Sequence, residues 1–137
     1  MKALLFSLLS LSVLIAEPAK PAAAARPGRL LEASGIRADF LIRADRRATV
    51  TIIDAAGKPV PRGEHTVILK VDGKDVALEP EVNGFASKEP LTAKEPTPMI
   101  IQIRASADAK PANFRLTLDT SLCGGCKRPE YGCTCAH

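Results

Sequence analysis

An apolar and a polar residue alternate again and again between residues 36 and 120, and this period of two most restricts how the chain can fold. Asn113-Phe-Arg-Leu-Thr-Leu-Asp119 alternates most clearly, with Phe114, Leu116 and Leu118 on one face. Met99-Ile-Ile-Gln-Ile-Arg-Ala105 does the same, burying Met99, Ile101 and Ile103 while Gln102 and Arg104 face out. His65-Thr-Val-Ile-Leu-Lys-Val71 aligns Val67, Leu69 and Val71, and Ala48-Thr-Val-Thr-Ile-Ile-Asp54 aligns Val50 and Ile52. Ile36–Ile42 is a further strand of less regular pattern. Asp72-Gly73 predicts a hairpin into Val76–Leu78, and Asn83-Gly84 another into Phe85–Ser87. Pro59, Pro61, Pro80, Pro90, Pro96, Pro98 and Pro111 fall between these runs, where a missing N–H donor is harmless. No stretch sustains a helical period. The expectation is an all-β protein, an Ig-like antiparallel β-sandwich of about seven strands.

The ends of the chain differ from this middle. Met1-Lys2 and the apolar run Ala3–Ala16 have the form and length of a signal peptide, too short to span a membrane. Cleavage after Ala16 or within Ala22–Ala25 fits the small-residue rule, and an uncleaved anchor is the competing reading. Residues 1–25 are therefore read as signal peptide and processing zone, 26–35 as a linker, 36–120 as the sandwich and 121–137 as a tail. The expected location is periplasmic or secreted, with no stable membrane insertion. The formal charge of +4 at pH 7 is spread out and lacks interleaved aromatics, so no nucleic-acid partner is expected. Arg43, Arg46 and Arg47 read as a solvated turn.

All four cysteines lie in the last fifteen residues, as C-x2-C-x6-C-x-C-x-H. Thiolate sulfur is a soft donor suited to Zn(II) and Cu(I). The candidate ligands are Cys123, Cys126, Cys133 and Cys135, with His137 as a further donor. Gly124 and Gly125 allow a tight turn that points backbone N–H groups at sulfur. Lys127 and Arg128 favour thiolate over thiol. Disulfides are the alternative in an oxidising compartment. A Cys133–Cys135 bond would close a strained ring, whereas bonds between the two pairs are feasible. The tail holds little to bury beyond Leu122 and Tyr131, so it reads as an appendage that the sandwich does not need, ordered only by a cross-link or an ion.

Other chemistry is weaker. His65 reads as a rim residue, Met99 as core, and Asp72, Asp75, Glu79 and Glu81 as solvated carboxylates without calcium-loop spacing. No nucleophile with its base, phosphate loop or acid–base carboxylate pair stands out, so no enzyme is expected.

Thr49-Val-Thr-Ile-Ile-Asp-Ala-Ala-Gly-Lys-Pro-Val-Pro61, Lys110-Pro-Ala-Asn-Phe-Arg-Leu-Thr-Leu118 and the cysteine tail resemble a small group of uncharacterised bacterial secreted proteins. Residues from Phe40 to Ala105 are also similar to the small β-domain at the front of periplasmic adaptor subunits of heavy-metal efflux pumps, where an Asp-x-x-Gly-Lys-Pro-Val turn joins two strands as Asp54–Val60 would here. The long helical hairpin and lipoyl-like part of an adaptor have no counterpart in this sequence. The resemblance implies a periplasmic setting, heavy-metal handling and an efflux component as a partner. Two function classes follow: a protein that binds a soft metal ion, or an interaction module whose tail is stapled by disulfides.

Overall fold

The computed structural model describes residues 28–136. The signal-peptide reading of residues 1–25 and the donor role of His137 lie outside them. The described strands are β1 (Arg29–Ala33), β2 (Ile36–Ile42), β3 (Ala48–Ile52), β4 (Thr66–Val71), β5 (Lys74–Val76), β6 (Leu78–Glu81), β7 (Gly84–Ser87), β8 (Thr97–Arg104) and β9 (Ala112–Leu118). They form two antiparallel sheets, in the orders β1-β2-β3-β7-β6 and β5-β4-β8-β9. Without β1, that is the Greek-key order of an Ig-like sandwich with one short strand added to the second sheet.

The alternation places the core as expected. Ile36, Ala38, Phe40, Val50 and Ile52 of the first sheet meet Leu69, Val71, Met99, Ile101, Ile103 and Leu118 of the second in one buried cluster. Phe114 and Leu116 are only partly buried against it, because β9 is an edge strand.

The strand inventory departs from the expected one at several places; Pro80 and Pro98, read as lying between strands, sit within β6 and β8. Residues 29–33, read as linker, form β1, which pairs with β2 and buries Leu31. Ser34 and Gly35, with φ of 52° and 78°, make the two-residue turn between them. Such a Ser-Gly pair is itself a turn signal, but the adjacent apolar Leu30 and Leu31 blur the alternation around it. The expected strand Val76–Leu78 is broken at Ala77, where the chain leaves β5, the partner of β4, and crosses to the other sheet as β6. The Asp72-Gly73 hairpin forms, with both residues at positive φ.

The Asn83-Gly84 hairpin also forms, but glycine is required there for another reason. The turn residues are Val82 and Asn83, and Gly84 is the first residue of β7, opposite Thr51. A Cβ at Gly84 would lie 1.9 Å from the Val50 carbonyl oxygen. The β2–β3 turn is held by ion pairs, Arg43 with Glu81 at 2.9 Å, Arg46 with Glu95 at 2.5 Å, and Arg47 with Glu79. The arginines and glutamates expected to be merely solvated thus tie the turn to β6 and to the segment before β8.

Gly84→Ala should lower unfolding free energy by about 1–3 kcal/mol, since β3 must shift to admit a methyl group. Gly73→Ala meets nothing within 4 Å and has only its φ of 73° against it, so its loss should stay near 1 kcal/mol. Urea unfolding of the two variants checks the order.

Candidate metal centre

The tail begins where β9 ends, and its first residues are tied down at once. Glu95 Oε2 accepts hydrogen bonds from Thr120 N at 2.6 Å and Thr120 Oγ1 at 2.7 Å. Burial raises the Glu95 pKa, but the Thr120 N–H, the Arg46 guanidinium and the Thr120 hydroxyl together hold it below the usual carboxylate value. Asp119 Oδ1 accepts from Ser121 N at 2.9 Å and Ser121 Oγ at 2.6 Å, a local turn of the kind short polar side chains favour.

A small antiparallel ribbon follows. Leu122 bridges Pro129, Cys123 N donates to Arg128 O at 2.8 Å, and Lys127 N donates back to Cys123 O at 3.0 Å. Within this loop the residue at positive φ is Lys127 (59°), and neither Gly124 nor Gly125 uses that freedom. The backbone N–H groups of Cys126 and Gly125 do point at the Cys123 sulfur. Glu130 N bonds Ser121 O at 2.8 Å and Tyr131 N bonds Asp119 O at 3.0 Å, so the returning chain runs beside the exit from β9. A 3-10 turn, Glu130–Gly132, then sends Cys133 and Cys135 back to the first pair.

The four sulfurs of Cys123, Cys126, Cys133 and Cys135 all lie within 4.8 Å of one another. Cys123 Sγ is 3.9 Å from Cys135 Sγ, and Cys126 Sγ is 3.7 Å from Cys133 Sγ. A tetrahedron of thiolates about 2.3 Å from a zinc ion has edges of about 3.8 Å, so these spacings fit one ion between four ligands. No two of the four cysteines are joined by a disulfide. Cys123 is fully buried at the root of the cluster, Cys133 is half-buried, and Cys126 and Cys135 are exposed. This arrangement could hold a metal ion.

Crowding splits the thiols' acidities. The Cys126 N–H, the Cys133 thiol and the Gly125 N–H lower Cys123 to about 6. The Cys135 N–H favours a Cys133 thiolate, but Cys123 and burial outweigh it and push Cys133 up to about 12. Cys135 is favoured as a thiolate by Cys133, yet Cys126 and Cys123 outweigh this and raise it. One anion in the cluster therefore opposes the next, and a cation at the centre would reverse that opposition.

The tail is not the appendage expected from its composition. Tyr131 is buried within the sandwich core, its ring edge-on to Phe40 at 5.6 Å and 79°. Its hydroxyl accepts a hydrogen bond from Ile42 N at 3.0 Å. Arg29 Nη1 donates to Cys133 O at 2.8 Å, and Arg128 Nη2 donates to Gly28 O at 2.7 Å, fastening the tail to β1. Sequence reasoning missed Glu95, Arg29 and the contact of Arg128 with Gly28, because these contacts join residues far apart in the chain. Tyr131 could have been found, since a lone large aromatic in a small polar segment needs somewhere to bury its ring. His65 stands before β4 in a local turn, its Nδ1 2.7 Å from Arg62 O, and Met99 is core.

No protein-family model matches the chain, and no curated protein or solved structure does. The Ig-like description therefore rests on strand order and the metal centre on its sulfur geometry.

Removing the plug should unsettle the sandwich. Tyr131→Ala should cost about 3–5 kcal/mol, as for other large buried side chains. Tyr131→Phe should cost about 1–2 kcal/mol, because the Ile42 N–H loses its acceptor. Ending the chain after Ser121 should likewise lower the urea midpoint, and an unchanged midpoint would restore the picture of a separable tail.

Proposed function

We propose that this is a non-enzymatic periplasmic or secreted protein that binds one soft metal ion, Zn(II) or Cu(I), and serves in heavy-metal handling. Cys123, Cys126, Cys133 and Cys135 are the ligands, with His137 in support. The observation that carries this reading is the convergence of four cysteine sulfurs to within 4.8 Å of one another, two of their distances being 3.7 and 3.9 Å. Lys127, Arg128 and Arg29 lie in or against the ligand loops and offset the negative charge of a four-thiolate site. The resemblance of residues from Phe40 to Ala105 to the efflux adaptors' β-domain supports the metal-handling role and suggests an efflux component as partner. The signal-peptide pattern of residues 1–25 supports the location.

Reduced protein titrated with Zn(II) against a chromophoric chelator should take up one equivalent. The Cys133 and Cys135 thiols, raised in the folded protein, hold their protons near neutral pH. Those protons must leave on binding, so they should appear in the medium and apparent affinity should rise with pH. Replacing all four cysteines by serine should abolish uptake, and binding at full strength in that variant would sink the proposal. Protein taken from its native compartment with no free thiol and no bound ion would instead favour the disulfide-stapled module.

A further inference from the structure

The metal cluster is unevenly covered. Cys123 sits at its root with no exposure, while Cys126 and Cys135 are on the surface. Leu122, Gly124, Gly125, Lys127 and Thr134 around them are exposed as well. The two glycines differ in what they adjoin. A Cβ on Gly125 would lie 3.6 Å from Cys135 Sγ and 3.9 Å from Cys123 Sγ, whereas one on Gly124 would meet nothing within 4 Å. Gly125 does not have positive φ, so its backbone does not demand glycine. What its lack of a side chain provides is open space beside the sulfurs.

Building on the metal-binding reading, we infer that this open side is an exchange face, across which the ion passes to a partner protein carrying a dithiol with acidic surroundings. An incoming thiol loses its proton and its thiolate bonds the ion. The Cys135–metal bond breaks, and Cys135 takes up a proton. Repetition at Cys126 moves the ion on, with no change of oxidation state and no net proton lost. Cys123, fully buried, and Cys133, half-buried, release last. Exposed Lys127 lies in the same loop as Gly125 and supplies the positive charge that would draw an acid-rimmed partner.

The test uses the full chain loaded with one equivalent of Zn(II). The acceptors are two synthetic Cys-x-x-Cys peptides, one flanked by glutamates and one by lysines. Transfer should be first order in peptide, and faster to the acidic peptide. Gly125→Leu should slow transfer by about tenfold or more, a barrier of about 1.4 kcal/mol. The rate of Gly124→Leu should stay near wild type. Lys127→Glu should remove the preference for the acidic peptide. A wild-type rate independent of peptide concentration would mean that the ion leaves unaided, and would overturn the inference whatever the variants do. Equal slowing by the two glycine variants would overturn it too. A chain that takes up no zinc at all would defeat the metal-binding reading itself, which is a different result from zinc held tightly but not passed on by this face.

Discussion

Tyr131 joins the two halves of the protein. Its ring completes the sandwich interior beside Phe40, and its hydroxyl satisfies the Ile42 N–H near the end of β2. A backbone N–H left without an acceptor inside the protein would cost about as much as the hydrogen bond it lacks. The core therefore gains both apolar contact and polar satisfaction from a residue of the tail. The same anchor fixes where the tail can go. Tyr131 lies two residues before Cys133, so seating its ring sets the starting point of the second cysteine pair. The Leu122–Pro129 bridge sets the first pair from the same side.

The cluster that results is held together by its surroundings. Thiols this close resist ionising together, and the split between Cys123 and Cys133 expresses that resistance. The backbone compensates in part. N–H groups of Gly125 and Cys126 face Cys123, and the Cys135 N–H lies 3.3 Å from Cys133 Sγ. These dipoles stabilise negative charge at sulfur. Burial at one end and exposure at the other give the four cysteines unequal surroundings. Only Cys123, at the root, is fully buried.

The strand pattern shows how much a single chain reveals. Residues such as Val50, Met99 and Leu118 point inward because a period of two has one solution once a face must be buried. The turn at Asp72-Gly73 was legible because few residue pairs accept two positive φ values. β1 was not legible as a strand. Its five residues carry one fully buried apolar side chain, Leu31, and the strand exists because β2 offers it an edge. The true reason for Gly84 was hidden for a similar cause, since the obstacle is a carbonyl of a strand more than thirty residues earlier.

The sequence by itself determined the all-β class, the inward-facing residues and the identity of the four thiols, because alternation and cysteine spacing are local and each has few physical solutions. Only the tertiary structure decided that the cysteines converge on one point and that the tail belongs to the core. Those outcomes depend on contacts such as Tyr131 with Phe40, Arg29 with Cys133 and Arg128 with Gly28, about ninety to a hundred residues apart in the chain. Composition undervalued the tail because it counts apolar residues without knowing the cavity they fill. One aromatic ring in a prepared slot outweighs a polar loop's want of hydrophobic neighbours.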